Sequence, residues 1–193
     1  MANIYDNINS KFVQGLQELI SDPGVKRVDF CVGYFNLRGW NLVINEVDNL
    51  DGDYVDESED RYFRHCRLLI GMQRPHEDLI KQFYSVSNSE MIDNQKKLQC
   101  KMEMARNFRK QLLLGLPTKQ DEATLRRLST QLKEKKVVVK LYLREPLHAK
   151  LYLAYKPESR MDKSAILGSS NLTYSGLTGN GELDADIENN RDL

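Results

Sequence analysis

After Lys136 the apolar pattern of this chain changes period, and that change limits the possible fold more than any other feature. Val137–Leu143 (VVVKLYL), Lys150–Tyr155 (KLYLAY) and Ala165–Gly168 (AILG) are short β-branched or aromatic runs, and Leu183–Ile187 follows them. Such runs read as strands. The middle of the set is spaced too tightly for intervening helices, so those neighbours are expected to pair antiparallel. Upstream, Phe12, Val13, Leu16, Leu19 and Ile20 recur at helical spacing, and Asp22-Pro23-Gly24 ends that helix by turn chemistry. Val28–Phe35 (VDFCVGYF) reads as a buried strand, with a helix leaving it through Trp40, Leu42, Val43 and Ile44. A second strand is expected at Cys66–Met72, then Pro75 and a short helix over His76–Phe83. Residues 91–114 and 121–135 look helical, separated by Gly115-Leu116-Pro117. Helices first and strands later give an α/β class, a mixed β-sheet flanked by helices on both faces.

With 193 residues the default is one domain, spanning 1–193, large enough to bury a core without staples. The 40% hydrophobic and 29% charged composition excludes a disordered chain, a collagen or a coiled-coil rod. No apolar run approaches the roughly 18 residues of a membrane span, and the N-terminus lacks the basic start and apolar stretch of a signal peptide. Cys31, Cys66 and Cys100 are odd in number and form no CxxC pair, which fits reduced thiols. A cytoplasmic protein is expected.

Net charge is zero, but the charges are segregated. Residues 46–60 hold eight acids and no base, and read as a solvated loop. Residues 96–140 hold thirteen Lys and Arg against four acids, a stretch able to meet a polyanion. Arg126, Arg127, Lys133, Lys135 and Lys136 are the nucleic-acid-binding candidates within it, against the plainer reading of a solvated helix face.

The residues that carry chemistry stand in the last quarter. His148-Ala149-Lys150 opens a strand, and alternate strand residues share a face, so His148 and Lys150 project together. Gly168-Ser169-Ser170-Asn171 follows a strand end, where glycine lets the backbone approach a ligand closely. An imidazole, an ammonium, a hydroxyl and a carboxamide are thereby expected to converge. Together they supply a nucleophile or base, a charge clamp and neutral donors for a phosphoryl group. Other motifs are weak. Gly176, Gly179 and Gly181 lack the strand–GxGxxG–helix context. His65, His76 and the cysteines show no zinc spacing. Cys31 and Cys66 read as buried strand residues, and Trp40 as core packing rather than a base platform.

HxK followed by GSxN resembles the HKD motif of the phospholipase D superfamily. Ile166–Thr173, with Asn180 and Glu182 after it, is similar to the branch of nucleases carrying a single motif, and residues 28–35 resemble the first strand of such domains. Versions of this kind occur at the N-termini of bacterial helicase or restriction-type proteins. The resemblance implies that His148 attacks phosphorus and becomes a transient phosphohistidine. It implies that Lys150 and Asn171 bind the non-bridging oxygens and that Ser169 adds a hydrogen bond. Glu182 would accept from the far imidazole nitrogen and fix its tautomer. One position departs from the pattern: Tyr155 stands where the motif often carries Asp.

The expected function is a metal-independent, cofactor-free phosphodiesterase cutting nucleic acid, DNA ahead of RNA, as the N-terminal module of a longer helicase or restriction-type protein. The rival is a catalytically silent module that delivers a helicase to DNA. Phospholipid hydrolysis is disfavoured because no amphipathic membrane-binding stretch is evident. The chain holds one HxK with a GSxN behind it, whereas two-step cleavage needs an attacking group and an acid on the opposite side. The second histidine is therefore expected from another copy, in a homodimer with the active site at the interface and no membrane partner.

Overall fold

Val28, Phe30 and Val32 alternate with Arg27, Asp29 and Cys31, and the first three are buried. That period places strand β2, Arg27–Val32, in the middle of a sheet with one fully buried face. The computed structural model describes residues 3–57, 60–72, 81, 94–112, 118–157, 163–179 and 181–187. In chain order the strands are β1 (Ile4–Tyr5), β2, β3 (Asp53–Glu57), β4 (Asp60–Arg64), β5 (Cys66–Ile70), β6 (Val137–Leu141), β7 (Lys150–Tyr155), β8 (Lys163–Gly168) and β9 (Asp184–Ile187). The described helices are α1 (Phe12–Ser21), α2 (Leu37–Asn41), α3 (Ile44–Asp48), α4 (Asn94–Leu112), α5 (Lys119–Lys133) and α6 (Tyr174–Thr178).

The large sheet has seven strands in the order β1-β9-β8-β7-β2-β5-β6. β2, β5 and β6 run parallel, and β7, β8 and β9 alternate in direction beside them. The class is mixed α/β, as the pattern of elements implied. The antiparallel expectation holds for β7, β8 and β9. It fails for β6, which pairs with β5, leaving β5 and β2 between it and β7. The reason is that residues after Ile70 return through α4 and α5 to lay β6 parallel to β5.

The core is a single cluster against the buried sheet face. Phe12 of α1, Phe30 of β2 and Tyr152 of β7 meet there, with ring centroids 5.2 Å apart in both pairs made by Tyr152. Trp40 of α2 is fully buried and its indole donates to Gln131 of α5 at 3.1 Å, in accord with the core reading. Gln131 in turn donates to Asp48 of α3 at 2.6 Å, so three helices share one polar tie. α1 ends at Asp22 as expected, where Gly24 adopts φ +90°, a conformation that favours glycine.

Two further expectations need correction. Residues 46–60 are not all loop. They contain the end of α3, strand β3 and the start of β4, and β3 and β4 form a separate antiparallel hairpin. Tyr54 stacks edge-on against Phe63 across it at 5.6 Å, and Asp53 pairs with Arg27. The helix expected through Trp40–Ile44 is divided into α2 and α3, because Val43 leaves helical geometry at φ −128°, ψ 0°. Cys66 is buried as expected, Cys31 is half-buried, and all three thiols are free. The helix expected over His76–Phe83 lies outside the described residues except for Lys81, which is helical.

Candidate active site

The alternating strand directions bring four chain segments to one edge of the sheet: the ends of β2 and β8 and the starts of β7 and β9. Lys150, the first residue of β7, pairs with Val32, the last of β2. Gly168, the last of β8, pairs with Asp184, the first of β9. The two halves of the HxK…GSxN pattern therefore meet at this edge, although Lys150 and Gly168 close opposite ends of the β7–β8 hairpin in sequence.

Gly33 shows how closely they meet. It follows β2 directly, and a Cβ there would come within 2.8 Å of His148 Cδ2, 3.0 Å of Asn171 Oδ1 and 3.2 Å of Met72 Cγ. His148 and Asn171 thus converge over a backbone that carries no side chain. Asn171 is oriented from the same segment, since its Oδ1 accepts from the Tyr34 N–H at 2.9 Å. This leaves its amide nitrogen as a donor. The Tyr34 ring stands edge-on to His148 with centroids 6.4 Å apart. A parallel bridge between Phe35 and Leu172, with the Asn36 N–H donating to Leu172 O at 3.1 Å, locks the two segments together.

His148 and Lys150 differ in exposure. His148, before the strand begins, is exposed, whereas Lys150 is 6% exposed on the buried face with Tyr152 and Ala154. Burial pushes the Lys150 ammonium down from the usual lysine range, and the charges of Glu182 and Asp184 pull it back. These carboxylates mark what Lys150 faces.

Below the GSSN turn lies a polar cluster. Glu182 accepts from the Ser169 hydroxyl at 2.5 Å, and Ser169 Oγ accepts from the Leu183 N–H at 2.9 Å. Glu182, which the resemblance assigns to the imidazole, thus has Ser169 as one partner. Asp184 is 1% exposed and accepts from both the backbone N–H and the hydroxyl of Ser170. Burial pushes the Asp184 carboxyl up, against the Ser170 bonds that hold it down. Tyr152, also buried, donates to the Ser170 carbonyl at 2.8 Å. The turn carrying Ser169 and Asn171 is thus fixed from beneath by two side chains.

The family described as cardiolipin synthase, PLD-like domain, matches residues 67–192, well over half of the chain. The chain belongs to this family. No curated protein matches. Among solved structures it is similar to yeast tyrosyl-DNA phosphodiesterase, at 13% identity, and to a mutant form of it (the SCAN1 mutant), at 12%, both with a TM-score of 0.46. Each comparison covers 97% of this chain and 32% of the other, so the chain spans about a third of their length.

Within this PLD-like domain, Tyr155 stands at the far end of β7. It lies five residues along the strand from Lys150, about 17 Å, and it falls on the opposite face, where the Arg27 guanidinium sits 3.5 Å from its ring centroid. Its place is in a cluster with Arg27, Arg67 and Asp29, remote from His148.

The structure does not bring the five basic candidates to the His148 edge as one group. Lys135 and Lys136 precede β6, whose start is level with the start of β2, so they lie at the opposite edge of the sheet. Lys135 pairs with Asp60, and Lys136 with Glu134 at 2.9 Å. Arg126 pairs with Glu122 one turn back, and Arg127 ties α5 to Asp48 and Asn45 of α3. Lys133 is exposed near the end of α5. Four of the five are engaged within the fold.

Sequence reasoning missed Gly33, Tyr34, Ser170 and Asp184. Gly33 carried a usable signal, a glycine directly after a buried strand. Asp184 carried a weaker one, two residues beyond Glu182 on a strand. Among the described residues no group of three or more His, Cys, Asp or Glu side chains is placed to hold a metal ion, and no helix is long and apolar enough to cross a membrane.

Proposed function

We propose that this PLD-like domain is a phosphodiesterase that cuts nucleic acid through a phosphohistidine on His148, without a metal ion. The observation that carries the reading is the convergence of His148 and Asn171 over Gly33, with Lys150 on the same strand end. A ring nitrogen of His148 attacks phosphorus and a bond forms between them, while the bond to the leaving oxygen breaks. Negative charge growing on the non-bridging oxygens is met by the Lys150 ammonium and the Asn171 amide. Ser169 gives its one hydroxyl proton to Glu182 and so steadies the turn that carries Asn171. In the second step water attacks phosphorus, the N–P bond breaks and His148 is released.

The leaving oxygen needs a proton and the later water must lose one. His65 is unsuited to this, because it is buried before β5 at the opposite edge, with Nδ1 3.0 Å from the Val47 carbonyl. We assign the task to His148 of the partner subunit in a two-fold dimer whose cleft spans the interface, with Asn171 and Glu182 near the axis. The chain is read as the N-terminal module of a helicase or restriction-type protein, with DNA the first substrate to try.

Labelled DNA and RNA incubated with the chain in excess chelator test the reading. Cleavage that persists in chelator and vanishes in His148→Ala, with nucleic-acid affinity retained, is the expected outcome. A requirement for magnesium contradicts the mechanism. Salt-dependent binding with no cleavage under any condition assigns the chain to a silent DNA-binding role.

A further inference from the structure

We propose that Tyr34 and Tyr174 form an aromatic platform for unpaired bases, so that the site takes single-stranded rather than duplex nucleic acid. The proposal rests on the phosphodiesterase reading and names the substrate class for the same site.

Most large aromatic side chains near this edge are fully buried, Phe30, Phe35, Trp40 and Tyr152 among them. Tyr34 and Tyr174 are 41% and 53% exposed. Core formation does not account for either ring, and neither hydroxyl has a hydrogen-bond partner among the described residues.

Their backbones, by contrast, are fixed by a reciprocal clasp. The Tyr34 N–H donates to Oδ1 of Asn171 at 2.9 Å, and the Tyr174 N–H donates to Oδ1 of Asn36 at 3.3 Å. Each tyrosine is thus tethered by an asparagine of the segment that carries the other, across the Phe35–Leu172 bridge. Asn36 also caps α2 through the Gly39 N–H, and Thr173 caps α6 through the Gly176 N–H, so both segments are anchored to helices. A tyrosine ring has two side-chain torsions, and on a tethered backbone little freedom remains to be lost when a flat ligand settles on it.

The position of Tyr34 ties this platform to the chemistry. Its ring stands edge-on to His148, and its own N–H orients Asn171. A base lying against Tyr34 therefore belongs to a nucleotide adjoining the phosphate at His148. Tyr174 lies three residues beyond Asn171, placed for a neighbouring base. Duplex bases hide both faces in the stack, whereas a single strand offers them, and stacking on an aromatic ring tolerates any base. Phospholipid phosphodiesters carry no such face.

Fluorescence anisotropy with the intact chain tests the proposal on three probes: a short labelled oligothymidylate, an abasic oligomer of the same length and charge, and the matching duplex. The oligothymidylate is expected to bind about a hundredfold tighter than the abasic oligomer, about tenfold from each ring, and tighter than the duplex. Tyr34→Ala and Tyr174→Ala should each narrow that gap about tenfold, leave abasic affinity unchanged, and be rescued by Phe at the same position. Equal affinity of the wild-type chain for the two oligomers overturns the proposal. So does a loss in the Tyr174→Ala variant, whose exposed ring is not needed for folding, that is the same for both. Cleavage plays no part in this readout. A chain that stacks bases but cuts nothing overturns the phosphodiesterase reading and leaves the platform standing.

Discussion

A methyl group at position 33 would come within 2.8 Å of the His148 ring and 3.0 Å of Asn171 Oδ1, closer than side-chain carbons ordinarily approach. Gly33→Ala must displace one or both. A shift of about 1 Å at reacting groups costs on the order of a hundredfold in rate, so kcat should fall by that order while circular dichroism stays native. A variant with full activity would show that His148 and Asn171 are not held against this backbone. Asp184 acts at one remove. Its charge helps Lys150 keep its proton against burial. Asp184→Asn keeps an acceptor for Ser170 and removes that charge, so the Lys150 ammonium should titrate at lower pH. The sign is fixed: losing an anion disfavours the cation, and the alkaline limb of the pH–rate profile moves down. A limb that stays in place or moves up would contradict the role given to Asp184.

At the scale of elements, β7 separates two tasks by face and by end. Lys150 at its start belongs to the candidate site, and Tyr155 at its end belongs to the cluster with Arg27 and Arg67. Tyr155→Ala should therefore lower stability in urea denaturation by about 1 kcal/mol or more and leave kcat near the wild-type value. A collapse of kcat with stability intact would return position 155 to the chemistry. How far such elements were legible depended on pattern strength. β2, β5 and β7 are continuous apolar or alternating runs, because both neighbours of each strand and a packed face demand it. The β3–β4 hairpin was hidden because its alternation, Tyr54 and Val55 against Tyr62 and Phe63, is weak. It stands apart from the large sheet and is interleaved with acids, of which Asp53 and Asp60 find their partners, Arg27 and Lys135, elsewhere in the chain. The His148, Lys150, Ser169 and Asn171 pattern was legible because strand periodicity and a glycine turn are local. The partners of Gly33 and Asp184 were not, since sheet pairing between distant segments brings them together. The same limit explains the basic residues. Charge along α5 is visible in sequence, but the pairing of Arg127 with Asp48 is a tertiary fact.

For the whole molecule, the account requires two copies. A cleft in which His148 of each subunit serves the other cannot form in a monomer, so sedimentation at micromolar concentration should give a dimer. A monomer with full cleavage would remove the shared site. The central claim, however, is the covalent bond to His148, and trapping it is the most direct test. The chain, mixed with a labelled oligonucleotide in excess chelator and quenched rapidly, should yield an acid-labile, base-stable phosphoramidate. Peptide mapping should find it on His148, and it should be absent from His148→Ala. Cleavage that proceeds with no adduct, or an adduct on another residue, would contradict the account.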